Sequence, residues 1–540
     1  MDEFPQDQQE SSSAPSSRNG ALLVASGILL SRLAGLIRES VFAHFFGNSD
    51  AADAFKAALR IPNFLQNLFG EGVLSASFIP VYANLLSRGE KNEADKVASA
   101  VACLLGSLTL LLVLAGMFAT PLLIDLIAPG FNGEKRELAI VLVRILFPGI
   151  GLLVLSAWCL GILNSHRRFF LSYAAPVIWN MAIIGALLIF GGRREESRLA
   201  VLVAWGVVAG CALQLLVQLP AICSLLGRFT IGFGLHLLSL RTVLRNFLPV
   251  VIGRGVVQIS AYIDSVLASL LPGGAVAALG YAQMMYLLPI SLFGMSVSAA
   301  ELPAMSSLLG KEEEVHAILR EKLRTGLQQI AFFVIPSAMA FFALGDVIIA
   351  ALYQSGKFSR SDTVYVWTTL AGSSVGLVAA TFGRLYASTF YALRDTKTPL
   401  KFACIRVAIT GVLGYFMALH LPSMLDLPRA VGIVGLTVSA GMAAWLEYKL
   451  LQRSLRVRIG DDIGAGIGFV LRCWLAAILG AAVCVALKLA LSEVRPFIAA
   501  VLIFSLYGAL YFTVCLIANV APARSLLRQI SSRLFALYRT

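Results

Sequence analysis

The sequence predicts an all-α protein that crosses a membrane about fourteen times, and three observations lead to this prediction. Of its 540 residues, 58% are hydrophobic and only 14% are charged, whereas a soluble domain carries about 25% charged residues. The mean hydropathy is +0.82. Apolar stretches of about 20 residues, the length that spans a bilayer as a helix, recur along the chain. A soluble fold could not bury this much apolar surface.

The apolar segments follow one another with short polar connections. Because the connections are about twenty residues at most, they leave no room for an independent soluble catalytic domain. The chain is therefore expected to act within the bilayer. The predicted spans are 20–47, 56–86, 97–127, 137–163, 168–191, 198–226, 241–271, 275–309, 322–353, 363–392, 399–420, 431–453, 467–490 and 496–519.

The net charge of +13 is explained by membrane topology. If the N-terminus is cytoplasmic, most loop arginines and lysines fall on the cytoplasmic side, as the positive-inside rule requires. Only Arg193, Arg194 and Arg198 form a cluster on the opposite side. We therefore predict an inner-membrane protein with both termini in the cytoplasm and no nucleic acid as partner. The cytoplasmic group includes Arg88, Lys91, Lys96, Arg167, Arg168, Arg228, Arg241, Arg245, Lys311, Arg320, Lys322, Arg324, Arg394, Lys397, Lys401, Arg406, Lys449, Arg453, Arg456 and Arg458.

A weak internal repeat divides the chain. Residues 39–43 recur at 264–268, and the pairs Phe69-Gly70 and Ser75-Ala76 recur at 293–294 and 298–299. Two parallel six-helix halves that rock about a central site are typical of transporters. The predicted parts are a disordered cytoplasmic tail (1–19), two halves (20–226 and 227–455), two appended helices (456–519) and an amphipathic cytoplasmic tail (520–540).

Ionisable residues inside the predicted spans are the best functional pointers, because each costs a few kcal/mol in a bilayer and faces a cavity or a partner. They are Arg32, Arg38, Glu39, Arg60, Glu71, Arg254, Asp264, Glu301 and Arg384. In the first two spans, three arginines stand against two acids. The planar guanidinium suits phosphate oxygens, so a phosphate-bearing headgroup would satisfy the excess charge. Internal pairing that only fixes helix packing is the alternative.

Several motifs resemble the MurJ/MviN family. They include Ser31–Glu39, Arg60–Phe64, Phe69–Gly72, Ala128–Phe131, Gly161–Asn164, Tyr281–Gln283 and Phe390–Pro399, and the similarity covers about residues 20–455. The resemblance implies a transporter of the MOP superfamily that moves lipid II, an undecaprenyl-pyrophosphate disaccharide-pentapeptide, to the outer leaflet. It also implies a central cavity between the halves and a lipid-tail groove formed by the last two helices.

The family's functional residues fall on Arg32, Arg38, Glu39 and Arg60. With Asn63, Glu71, Arg254 and Gln283, they form the expected substrate-binding set. Met284 stands where many members of the family carry an arginine, and Arg254 would restore the missing charge. This departure keeps a second hypothesis open, a flippase or exporter for another polyprenyl-linked glycan. A membrane scaffold without transport activity is a third, which the excess arginines disfavour.

Some members of the family bind sodium, which here would involve Asp264 with Thr410 and Gly414. This is a poor ligand set for a hard cation, which prefers several oxygen donors. No cofactor is expected, and transport would draw on a sodium gradient, a proton gradient or the membrane potential. No enzyme motif occurs, and we expect a monomer in contact with lipid II and membrane lipids.

Overall fold

The computed structural model describes residues 15–192, 194–298, 301, 305, 312–461, 463–491 and 494–537, and within these ranges the chain is helical without any strand. The helices of the first part are α1 (Pro15–Phe46), α2 (Asp50–Phe69), α3 (Glu71–Ser77), α4 (Ile79–Ser87), α5 (Lys91–Phe118), α6 (Thr120–Ile127), α7 (Gly133–Ser165), α8 (Phe169–Phe190) and α9 (Glu196–Leu225). The all-α prediction is confirmed.

The second part continues with α10 (Leu238–Ser269), α11 (Ala275–Pro289), α12 (Glu312–Ala343), α13 (Gly345–Tyr353), α14 (Arg360–Ala392), α15 (Lys397–Tyr415), α16 (Leu421–Met424), α17 (Gly432–Ile459), α18 (Ile467–Ala490), α19 (Pro496–Ile517) and α20 (Ala521–Leu537). The amphipathic segment predicted for the C-terminal tail is helical. At the other terminus α1 begins at Pro15, within the predicted tail, and residues 1–14 lie outside the described part.

Eleven helices in the described ranges are long and apolar enough to cross a membrane, so the protein is a multi-pass membrane protein. All fourteen predicted segments contain helix, but a count of fourteen spans is not confirmed. The segments 20–47, 56–86 and 241–271 are not among the eleven. In the second of these segments, α2 carries Asp50, Asp53, Lys56 and Arg60, which lower its hydropathy.

The segment 56–86, predicted as one span, is broken into α2, α3 and α4. The first break is at Gly70, whose ψ of −146° is not helical. A Cβ at this position would lie 2.3 Å from the Gln66 carbonyl oxygen, so the tight turn accommodates only glycine. A second irregularity follows Pro289, where α11 passes into a π-helical turn at Ile290–Met295.

The helix order repeats along the chain, as the sequence matches suggested. The helices that begin at Pro15, Asp50, Thr120 and Gly133 have counterparts that begin at Leu238, Ala275, Gly345 and Arg360. The offsets lie between 223 and 227 residues, close to the shifts of the sequence repeat. The helix starts therefore support a duplicated architecture, while the boundaries 20–226 and 227–455 stay a prediction.

The described chain forms two compact units. The first contains the residues up to Val41, with Ala58–Leu123 and Glu137–Gly255. The second contains Phe42–Ala57, Ile124–Arg136 and the chain from Val256 onward. Two short segments from the first part of the sequence therefore belong to the same compact unit as the second part.

Small residues allow close helix packing inside each unit. In the first, a Cβ on Gly206 of α9 would lie 2.6 Å from the Ala186 Cβ of α8. In the second, a Cβ on Gly376 of α14 would lie 2.5 Å from the Gly441 Cα of α17. Interfaces of this kind are typical of membrane helices, whose backbones approach where side chains are small.

We expect Gly376→Ala to lower the melting temperature of the detergent-solubilised protein. The new methyl group would push α14 from α17, and overpacking costs about 1–3 kcal/mol, more than the roughly 1 kcal/mol gained in helix propensity. Gly383→Ala on the same helix is the matched control, because its nearest new contact is an ordinary 3.9 Å to Leu451. Equal melting temperatures for the two variants would contradict this account of the interface.

Candidate functional site

A charged pair on α1 lies in the first compact unit. Arg38 donates a hydrogen bond from Nη2 to Oε1 of Glu39 at 2.7 Å, and both side chains are largely buried. The guanidinium carbon of Arg38 lies 4.9 Å from the centroid of the Trp179 ring on α8. A cation over an indole face is attracted by the ring quadrupole. Arg38 is thus held between a carboxylate and an aromatic ring, so internal pairing does occur at this position.

Arg32 differs from Arg38 although both lie on α1. Its side chain is exposed, and it makes no ion pair or hydrogen bond with the residues that the structure describes. The two arginines are six positions apart on the helix, which corresponds to about 9 Å along its axis. The helix therefore presents one guanidinium fixed by neighbours and another that is available to an external anion.

The remaining predicted residues of the first unit are Arg60, Asn63, Glu71 and Arg254. Arg60 is half-buried and interacts with a neighbouring group, while Asn63, one turn later on α2, is exposed. The side chains of Glu71 and Arg254 lie outside the described part of the structure. Compensation of Met284 by Arg254 therefore stays a prediction.

The second unit encloses a cavity of about 130 Å³, and three of the predicted residues meet there. Asp264 of α10, Gln283 of α11 and Thr410 of α15 all line it. The sequence had assigned Gln283 to the substrate and the other two to sodium, so the structure groups residues that were predicted for different roles. Other lining residues with polar groups are Tyr286, Ser373, Arg406 and Thr437.

One expectation about α15 is wrong, and another stays untested. Gly414, named with Thr410 as a poor ligand set for sodium, lies close to Leu267, Leu436 and Ser439 and is not a lining residue of the cavity. Arg406 was counted among the cytoplasmic loop charges. It lies nine residues, or about 13 Å, inside α15 and lines the cavity, where its Nη1 binds Oε2 of Glu447 on α17 at 2.9 Å.

A second charged group in this unit was missed by the sequence reasoning. Asp53, at the start of α2, is 1% exposed and forms an ion pair with Lys135. Its two oxygens also accept hydrogen bonds from the backbone nitrogens of Gly274 at 2.8 Å and Ala277 at 2.7 Å. Asp50 is exposed and binds the same lysine at 2.8 Å. We call Asp50, Asp53, Lys135 and the first turn of α11 the Asp53 cluster.

The Asp53 cluster is physically reasonable because a carboxylate stabilises the N-terminus of a helix, whose first N–H groups lack partners within the helix. Tyr281 of α11 reinforces it, donating from its hydroxyl to the Gly47 carbonyl oxygen at 2.9 Å. The sequence contained one signal for the cluster, Gly273-Gly274 directly before α11. A Cβ on Gly274 would lie 2.4 Å from Asn48, so the close approach requires glycine.

Four loops that the predicted topology places on one side of the membrane meet in this unit. Gly47 accepts the hydrogen bond of Tyr281. The backbone nitrogen of Gly130 donates to the hydroxyl oxygen of Ser269 at 3.3 Å, and the backbone nitrogen of Lys357 donates to the His44 carbonyl oxygen at 2.9 Å. The connections after α1, α6, α10 and α13 therefore converge, as alternate crossings of a bilayer require.

Comparison with known proteins shows which family this chain matches. A family model described as lipid II flippase MurJ matches residues 42–507. The lipid II flippase MurJ of Burkholderia cenocepacia is 32% identical over 446 residues, which cover 81% of this chain and 84% of the relative. The probable lipid II flippase MurJ of Rhizobium tropici is 31% identical over 432 residues, covering 79% and 78%.

Solved structures agree with the sequence comparisons. A lipid II flippase MurJ in an inward closed conformation matches with a TM-score of 0.75 and 25% identity, covering 94% of this chain and all of that one. An inward-facing multidrug resistance MATE transporter of the MOP superfamily matches with a TM-score of 0.63 at 18% identity, covering 81% and 98%, and thus shares the fold. Because the family model and relatives above 30% identity both cover most of the sequence, the chain belongs to the MurJ family of membrane transporters.

Proposed function

We propose that this protein moves lipid II from the inner to the outer leaflet of the cytoplasmic membrane by alternating access. Membership of the MurJ family supports the substrate, because the relatives are named as lipid II flippases. The observation on this chain that carries the proposal is the arginine pair of α1. An exposed Arg32 without an ionic partner among the described residues would need an anion inside the bilayer.

Arg38 is suited to binding a phosphate in a defined orientation. Glu39 and the Trp179 ring fix the guanidinium plane, which reduces the entropy lost when a ligand binds. One nitrogen donates to Glu39, and the other N–H groups of the fork remain for phosphate oxygens. Glu39 acts as a positioning residue, and Arg32 supplies a second positive charge for a pyrophosphate that carries about two negative charges.

The Asp53 cluster supports the alternating-access part of the proposal. With the N-terminus in the cytoplasm, the loops that converge there face the outside of the cell. The cluster joins these outer loops within the second unit, and we propose that release of substrate requires Asp53 to leave the first turn of α11. Both termini in the cytoplasm, an inner-membrane location and a monomeric state belong to the same proposal.

A flippase for another polyprenyl-linked glycan is the second candidate. Met284 favours it, because this half-buried side chain offers no charge where many family members carry an arginine. Both candidates share the pyrophosphate and differ only in the sugar and peptide of the headgroup.

We expect Arg38→Ala to abolish complementation of a strain depleted of its own lipid II flippase. The variant loses charge-assisted hydrogen bonds worth about 1.5–3 kcal/mol each, which corresponds to more than a tenfold loss of transport. Arg38→Lys should rescue only in part, since an ammonium lacks the fork. Arg228→Ala, at an exposed arginine outside the site, is the control. Normal growth with Arg38→Ala at matched expression would refute the phosphate role.

We expect Asp53→Asn and Asp50→Asn to differ sharply, although both remove a carboxylate that binds Lys135. Asp53 is buried and holds the first turn of α11, and breaking a buried pair costs about 3–5 kcal/mol. Asp50 is exposed, and such pairs contribute about 0–1 kcal/mol. Complementation and melting temperature should fall for Asp53→Asn alone. If the Asp50 variant is equally impaired, the cluster does not act through Asp53.

The membrane potential is the energy source we propose. Moving one charge across 100 mV is worth about 2.3 kcal/mol, so two negative charges gain roughly 4–5 kcal/mol on leaving an inside-negative cell. Collapse of the potential by an ionophore, with sodium and pH gradients clamped, should lower the lipid II exposed at the outer leaflet. Unchanged exposure would exclude the potential as the driver.

A further inference from the structure

The cavity of the second unit contains a charged group of its own. Asp264, Thr410 and Thr437 line it together with Arg406. The guanidinium of Arg406 forms an ion pair with Glu447 and also interacts electrostatically with Asp264. Resemblance to the family had suggested a sodium ion beside Asp264 and Thr410. The structure places the positively charged guanidinium of Arg406 at that same position.

Among the described residues, the neighbouring charges balance without an added ion. Arg384 of α14 interacts electrostatically with Arg406 and Glu447, which completes a set of two guanidinium groups and two carboxylates. A hard cation binds where several oxygen donors carry net negative charge. Here one carboxylate lines the cavity beside a guanidinium that would repel the ion. Among the described residues no cluster of three His, Cys, Asp or Glu side chains could hold a metal.

We propose that the guanidinium of Arg406 permanently replaces a bound cation in the cavity of the second unit. Transport by this protein is then not coupled to sodium binding at that site. The inference rests on the proposed function only in calling the protein a transporter. Its physical basis is the balance of charges around the cavity. Arg406 is covalently part of the chain and neutralises the half-buried carboxylates without leaving the site, whereas a dissociable ion would do so only when bound.

The purified protein tests this through its melting temperature when potassium chloride is replaced by sodium chloride at constant ionic strength. A ligand that binds only the folded state stabilises it in a saturable way. The wild type should show no difference between the two salts. A saturable stabilisation of the wild type by sodium that Asp264→Asn abolishes would overturn the proposal.

Arg406→Asn should create the response that the wild type lacks. Among the described residues it leaves Arg384 to balance Asp264 and Glu447, and it opens space among oxygen donors, so sodium should raise the melting temperature by about 1–3 °C. Arg406→Lys keeps the charge and should not respond. Lys401→Asn, which removes an exposed charge from the same helix, is the matched control and should also not respond.

The double variant Arg406→Asn/Glu447→Gln separates charge from space. It opens the same volume but restores the balance of charges, so it should respond to sodium no more than the wild type does. A response as large as that of the single variant would show that space alone excludes the ion and would overturn the charge argument. If Arg406→Asn does not fold, the sodium responses of the wild type, Arg406→Lys and the double variant still test the proposal.

Failure of this inference can be told apart from failure of the proposed function, because the melting measurements need no lipid II. A wild type that ignores sodium yet does not move lipid II refutes only the function. A wild type that moves lipid II but is stabilised by sodium through Asp264 refutes only the role of Arg406.

Discussion

Neutralisation of charge inside an apolar helix bundle is the constraint on which the rest of this structure depends. A charged side chain taken out of water is tolerated only with a partner. Several buried or half-buried charges in the described residues meet this requirement, as Arg38 does with Glu39, Asp53 with Lys135, Arg406 with Glu447 and Asp346 with Lys488. Arg32 has no such partner in the part of the chain that the structure describes, and the site is inferred from this difference.

Much of the fold could be predicted because the bilayer requires long apolar helices whose backbone groups bond internally. All fourteen apolar segments contain helix, and the duplicated order of helices matches the short sequence repeats. Helix breaks could not be predicted in the same way. Gly70 is an ordinary small residue in the sequence, and only the proximity of the Gln66 carbonyl oxygen shows why α2 must end there.

Charged residues inside the predicted spans could be named from the sequence, but the partners of their side chains could not. The intramembrane position of Arg38 and Asp264 follows from hydropathy, whereas Trp179, whose ring lies over Arg38, is 141 positions later in the chain and leaves no sequence pattern. Arg406 was misassigned because it follows Lys397 and Lys401, which do lie at the end of the helix. Asp53 was missed because it stands at the polar edge of a span, where a carboxylate needs no explanation until its burial is known.

The central claim is that this chain carries lipid II across the membrane, and outer-leaflet exposure of lipid II measures it most directly. The wild-type chain would replace the flippase in a depletion strain, and lipid II accessible from outside would be quantified before growth diverges. The account predicts restored exposure with the wild type and none with Arg38→Ala at matched membrane levels. Lipid II that accumulates in the inner leaflet despite normal insertion of the wild-type protein would contradict it.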